Sequence, residues 1–368
     1  MSANKIKKKT PSVRQHIIEQ ILPAIQRNCA IADAAHSGLY SLCGLFLRLK
    51  DQFKWEQNNP PWSPTNKSRL LQWIDRKEAH WLNLLDAPLE PIVLNGRSYD
   101  PLNSRRINRS LIPLGLYYGA GFGRGLQPTF FLGSTHEIRL FSGTTVIVLD
   151  KELACDLSMS PAQRQGSIIV LRREPLRFFL WGKIQETEQV EREAARKALS
   201  YYNWDPSLPP GPQMETIIRS ELETILFHEL GEADERTIPR KLWRSLLYRF
   251  PFSRIELYLR SLQDLLADTH PRGTLAHIIG NRKKGSLAFY LSNLKGFRQS
   301  LIPEMTEAIR EFFQLEDWTR IEKTRRQGRQ RLLGLGKQVR QLSRTLQNTE
   351  TAPFLELFEK GCFKPLQK

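Results

Sequence analysis

Asp205-Pro206-Ser207-Leu208-Pro209-Pro210-Gly211-Pro212 sets four prolines within seven residues. No helix interior accommodates that density, because each proline removes a backbone donor and clashes with the preceding turn. The stretch, residues 205–212, therefore reads as a linker, and the chain differs in character on its two sides. Downstream, residues 213–368 read as a helical C-terminal domain. Its helical periods fall at 213–235, 240–249, 253–268, 274–282, 286–300, 303–315 and 317–346. Upstream, residues 92–173 hold short β-prone runs at 92–94, 114–118, 129–132, 137–141, 144–149 and 168–172. Ser142-Gly143 sits between two of these runs as a hairpin turn, and a long helix from about 175 to 202 follows. Residues 12–56 and a segment opened by Pro64-Thr65 read as helices, with Trp73 and Trp81 on a buried face and Asn59-Pro60-Pro61 as the break between them. The fold expected is α+β and mainly helical. It comprises an N-terminal helical part (1–91), a small, largely antiparallel sheet plus a long helix (92–204), the linker, and the helical domain.

Composition narrows the function classes. The chain has 368 residues, of which 40% are hydrophobic and 25% charged, values that exclude a chain too polar to bury a core. Four scattered cysteines, with no CxxC, argue against a zinc ribbon, a redox pair or a disulfide framework. No apolar core follows the basic N-terminus, so no secretory signal is read. The longest charge-free apolar run, 34–47, is about 14 residues against the roughly 20 that span a bilayer. A cytoplasmic protein without a transmembrane segment is expected.

The formal charge of +17 is concentrated at the ends. Residues 1–14 carry five basic residues and no acid, and residues 320–344 carry nine basic residues and one acid. In the terminal helix Leu332, Leu335, Val339, Leu342 and Leu346 form an apolar seam. Arg326, Arg329, Lys337, Arg340 and Arg344 lie on the opposite side. Such a helix either docks its leucines on the body or presents its charge to a polyanion, an anionic membrane surface or an acidic protein partner. Without interleaved aromatics, contact with nucleic acid would be sequence-independent. Arg282, Lys283 and Lys284, ahead of Ser286 and a helix, form a second candidate anion contact.

The glycine-rich stretch Tyr118-Gly119-Ala120-Gly121-Phe122-Gly123-Arg124-Gly125 lacks a following helix and a Lys-Ser/Thr pair. It therefore reads as a turn between strands rather than a nucleotide loop.

The most chemical segment is Glu221–Ala233, with His228 and Glu229 adjacent and Glu232 four residues after His228. At about 100° per residue, Glu221, His228, Glu232 and Glu235 fall within about 60° of each other. Glu229 projects from the apolar arc and needs a pair, a proton or a ligand. His and Glu at i and i+4 can share one metal, with Glu229 as the general base toward a metal-bound water. The metal would be Zn, Mn or Fe. Asp268 is the candidate third ligand, with His270 and His277 as alternatives. Gly231, inside the helix, signals close approach by another element. The segment resembles the HExxH helix of zinc metalloproteases over five residues, with Glu232 where that motif has its second His. The reading is a metal-dependent hydrolase, with a polyanion-binding protein or a helical scaffold as the alternative.

Five segments carry a resemblance over the whole chain. They are Phe53-Lys54-Trp55-Glu56, Gly119-Ala120-Gly121-Phe122-Gly123-Arg124, Phe227-His228-Glu229-Leu230-Gly231-Glu232-Ala233, Leu265-Leu266-Ala267-Asp268-Thr269 and Gly285-Ser286-Leu287-Ala288-Phe289-Tyr290. The chain resembles an uncharacterised family of bacterial proteins found mainly among sulfate-reducing and related anaerobes. The resemblance implies a bacterial, cytoplasmic origin and no mechanism.

Overall fold

The computed structural model describes residues 11–185, 189–345 and 351–363. The chain divides into two compact units, Met1–Trp181 and Gly182–Lys368. This boundary lies upstream of the proline stretch expected to be the linker. Pro210 and Pro212 instead sit in the first turn of a helix, where a missing N–H costs nothing.

The first unit opens with α1 (Pro11–His36), α2 (Leu42–Glu56) and α3 (Lys67–Leu82). Ser41 caps α2 by accepting from Gly44 N, and Asn66 caps α3 by accepting from Arg69 N. A ribbon of β1 (Ile92–Leu94) and β2 (Arg97–Tyr99) follows, then α4 (Ser104–Leu111).

The main sheet contains β3 (Leu116–Phe122), β4 (Pro128–Phe141), β5 (Thr144–Cys155), β6 (Ala162–Gln165) and β7 (Ile168–Arg172), in the order β3-β4-β5-β7-β6. Every pairing is antiparallel except β5 with β7. The runs 129–132 and 137–141 are one strand. Bulges between Leu132 and Glu137 interrupt its alternation and made it read as two. Ser142 (φ 47°) and Gly143 (φ 78°) form the expected hairpin turn.

The glycine stretch is the expected turn only in its second half, where Gly123, Arg124 and Gly125 (φ 63°) connect β3 to β4. Gly119 and Gly121 lie inside β3, and a Cβ on Gly119 would stand 2.0 Å from the Phe131 ring. Glycine there makes room for a cross-strand aromatic.

Both faces of the sheet are buried. Tyr118, Phe130 and Leu132 pack with Ile17, Ile21 and Ile25 of α1. Tyr117, Phe131, Ile147 and Val170 pack with Phe178, which lies on α5 (Arg173–Ile184). On the outer edge of β3, the buried Asn108 of α4 donates to Tyr118 O (2.7 Å) and accepts from Tyr118 N (2.8 Å). At the end of β7, Arg172 grips Glu152 of β5 through two bonds of 2.7 and 2.6 Å and lies over the Phe131 ring at 4.0 Å.

Asp33 of α1 is buried beside Asp156, and its Oδ1 accepts from Leu157 N at 2.9 Å. Burial, with Asp156 adding to it, pushes its carboxyl well above the ordinary range. The folded chain therefore holds a proton that the unfolded chain releases near pH 4. Through this group, stability falls as pH rises from about 4 toward the raised folded value. Asp33→Asn is expected to flatten that slope and to stabilise the chain at neutral pH. Urea denaturation of both proteins between pH 4 and 8 checks this; parallel slopes would reject it.

The second unit is helical. Past α5 come α6 (Gln189–Tyr201), α7 (Pro210–Asp234), α8 (Arg240–Arg249), α9 (Arg254–Thr269), α10 (Thr274–Gly280), α11 (Lys284–Ser292), α12 (Phe297–Leu301), α13 (Pro303–Leu315), α14 (Trp318–Thr345) and α15 (Thr351–Phe358). The expected helix from 175 to 202 is two helices, α5 and α6, and residues 186–188 lie outside those described. The expected helix over 286–300 is also two, because Gly296 (φ 53°) turns the chain between α11 and α12.

The core runs through α9, α11, α13 and α14. Leu332 and Val339 of α14 are buried in it, with Leu335 and Leu342 packed alongside. The leucine seam thus docks on the body; Leu346 lies outside the described residues. No helix among the described residues is long and apolar enough to cross a membrane.

Candidate functional site

α7 crosses α9 at Gly231. A Cβ there would lie 2.3 Å from Ala267 O and 3.1 Å from the Gly273 Cα. The two backbones touch, which is the close approach expected from a glycine in mid-helix. Backbone contact here brings the next turn of α7, with His228, onto the end of α9, with Asp268.

His228 Nδ1 lies 2.7 Å from Asp268 Oδ1, which also accepts from Thr274 Oγ1 at 2.7 Å. Asp268 Oδ2 accepts from an Arg298 guanidinium nitrogen at 2.5 Å. Arg298 also lies 3.7 Å from Asp264. Asp268 is about 1% exposed, so a charge there requires these partners.

Burial alone would lower the His228 pKa. The Asp268 carboxylate outweighs it and holds the imidazole up to about 10. Asp268 itself is held below the ordinary carboxylate range, because His228 and Arg298 outweigh its burial.

Ligand atoms of His228, Glu229 and Glu232 all lie within 4.8 Å of one another. They are the only such group of three or more His, Cys, Asp or Glu among the described residues. Glu229 is buried, while His228 and Glu232 are half-buried. The sequence suggested His228, Glu232 and Asp268 as ligands with Glu229 as base; the structure groups His228, Glu229 and Glu232, and Asp268 lies at His228 Nδ1 instead. Both Asp268 oxygens are engaged and it stands behind His228. Its contact engages Nδ1 and fixes the imidazole, so that Nε2 is the ring nitrogen left to serve as a ligand.

The alternative third ligands are elsewhere. His270 accepts from Arg272 N at the end of α9. His277 stacks on Phe227 with 4.0 Å between ring centroids and is lowered to about 4 by burial and Lys283. The other two acids on the expected face are also spoken for. Glu221 is buried and takes hydrogen bonds from Tyr202 (2.5 Å) and Ser286 (2.6 Å). Glu235 lies just past the helix end, accepting from Thr237 and paired with Arg329 at 3.0 Å. The helical wheel placed Glu221, Glu232 and Glu235 on one face with His228; the neighbouring helices divide them. Thr274 and Arg298 were not legible beforehand, because no local pattern ties a lone Thr and Arg to a histidine 46 and 70 residues upstream.

The expected anion contacts fare differently from one another. Arg326 pairs with Glu322 and Arg329 with Glu235. Lys337, Arg340 and Arg344 are exposed on α14 and form no ion pair among the described residues. Lys283 is turned inward, donating to Ser220 O (2.7 Å) and Thr224 Oγ1 (3.1 Å). Lys284 pairs with Glu316, and Arg282 is exposed at a turn with φ 52°.

Together these features define a two-unit α+β protein with a His/Glu cluster on one helix of its second unit. Residues 20–172 match the N-terminal domain, and residues 177–361 the C-terminal domain, of a family of unknown function, DUF6866. The chain belongs to that family. No curated protein and no solved structure matches it.

Proposed function

We propose that the second unit binds one divalent transition metal through His228, Glu229 and Glu232, and that the site serves hydrolysis. The observation that carries this reading is the convergence of three ligand atoms within 4.8 Å beside a histidine braced by a buried carboxylate. Three protein ligands with an open fourth position are the pattern of catalytic rather than structural zinc, and such an ion lowers the pKa of bound water to about 7. With both Asp268 oxygens engaged, Glu229 takes the third coordination position. Glu229 would then serve as a ligand, in place of the general-base role that the sequence suggested for it, and a bound ion would supply an activated water as nucleophile. Zn, Mn and Fe all suit a His/carboxylate set.

Metal content of the untagged protein, after incubation with Zn, Mn or Fe and desalting, tests the reading. About one equivalent is expected in the wild type and none in folded His228→Ala. Asp268→Asn is expected to weaken the metal about 10- to 100-fold. A wild type that retains no metal under any of these conditions rejects the proposal.

The imidazole's hold on its proton favours a second reading. Here Asp268, a charged His228 and Arg298 form a buried clamp joining α7, α9 and α12. In that case His228→Ala lowers stability and changes no metal content.

A further inference from the structure

β2 and α4 frame an open cavity of about 790 Å3 in the first unit. Three arginines line it, Arg97 from β2 and Arg106 and Arg109 from α4. The turn between the two elements sets them together. Asp100 Oδ1 accepts from Leu102 N at 2.7 Å, and Asn103 Oδ1 caps α4 by accepting from Arg106 N at 3.3 Å. Arg106 and Arg109 are three residues apart and so share one side of their helix.

None of the three guanidinium groups has a hydrogen-bond or ion-pair partner among the described residues. Elsewhere in the same unit Arg27, Arg139, Arg172 and Arg173 each stand beside an acid. Asp100 is the one acid on the cavity wall, and it pairs with none of the three arginines. The wall therefore carries an excess of two positive charges. Arg105 and Arg106 also stand in the first turn of α4, which holds no acid. A helix is positive at that end and disfavours a cation there. Local preference is overruled at this cavity, as it is at functional positions.

The arrangement selects the kind of anion. One guanidinium satisfies a carboxylate in a bidentate pair, whereas a phosphate presents oxygens to several at once. A phosphate monoester carries about 1.5–2 negative charges near pH 7, which matches the excess on the wall. The cavity exceeds the needs of a phosphate alone and lies in the range of small-molecule sites. Ser98 and Ser110 add hydroxyls for the rest of such a ligand.

We propose that this cavity binds a small organic phosphate, with the phosphate held by Arg97, Arg106 and Arg109. The site is independent of the cluster on α7 and stands whether or not that cluster holds metal.

The probe is glycerol 3-phosphate, titrated calorimetrically into the full chain at low salt, with glycerol and acetate as controls. Saturable binding of glycerol 3-phosphate with a Kd of about 1 mM or tighter is expected, and none of either control. Arg106→Gln and Arg109→Gln should each weaken it at least about tenfold. Arg105→Gln removes the same charge from the same helix but from outside the cavity wall, and should change the affinity by less than about twofold. Circular dichroism establishes that each variant is folded. Absence of binding, binding of acetate with equal affinity, or an equal loss in Arg105→Gln overturns the proposal. So does binding of a short oligothymidylate without a terminal phosphate when glycerol 3-phosphate does not bind, which would assign the arginines to a nucleic-acid backbone.

Discussion

Glu152→Gln is expected to destabilise the first unit by about 3–5 kcal/mol, the usual effect of removing one member of a buried ion pair. Arg172 is 2% exposed and its partner 3%. Two of its guanidinium nitrogens bond to the two oxygens of Glu152, and a third donates to Ser160 O at 3.0 Å. A neutral amide leaves one of the two nitrogens facing an N–H group and the cation uncompensated in a low-dielectric interior. Arg172 ends β7 in the parallel pairing with β5, and Phe131 beneath it belongs to β4. The loss would therefore spread over three strands. Paired replacement with apolar residues, Glu152→Leu with Arg172→Met, should cost less than the single change, because no charge is stranded. Urea denaturation of the three proteins measures both quantities. A single-mutant loss below about 1 kcal/mol would mean that water reaches the pair.

Gly231→Ala is expected to destabilise the second unit by about 1–3 kcal/mol, although alanine normally gains about 1 kcal/mol over glycine in a helix. The added methyl would stand 2.3 Å from the Ala267 carbonyl oxygen and 3.0 Å from its carbon. These are backbone atoms of α9, which cannot rotate aside as a side chain could. The helices must separate, and Asp268 follows Ala267 directly, so the 2.7 Å contact with His228 opens with them. Thermal denaturation with metal analysis of the same sample checks both effects. A variant as stable as wild type, holding metal equally well, would show that the contact is slack.

The helices were legible because their signals are local. Prolines, capping residues and three-to-four spacing of apolar residues delimit α8, α9 and α13 within one or two positions of the expected spans. The strands were legible as runs but not as a sheet. Nothing in residues 162–165 is apolar enough to announce β6, which forms because β7 offers it an open edge. The glycines of β3 misled for a related reason. Without Phe131 in view, a strand glycine and a turn glycine look alike.

The site was half legible. His228, Glu229 and Glu232 share one helical turn, so their spacing could be read directly. The role of Asp268 depends on Thr274 and Arg298, whose positions are set by how α9, α10 and α12 pack.

The amide of Asn108 has a consequence for how copies of this chain meet. β3 is one of the two outermost strands of its sheet, and an outermost strand offers unpaired N–H and C=O groups on which a neighbouring chain can add a strand and begin a fibril. Asn108 occupies both groups of Tyr118 in mid-strand, so a strand approaching from outside finds that rung already taken. Natural sheets blunt their edges by a charge, a proline or a bulge; here two carboxamides do so, Asn108 from a two-turn helix at Tyr118 and Gln165 of β6 donating to Ala120 O at 3.2 Å, and keep a tyrosine-rich strand from templating aggregation.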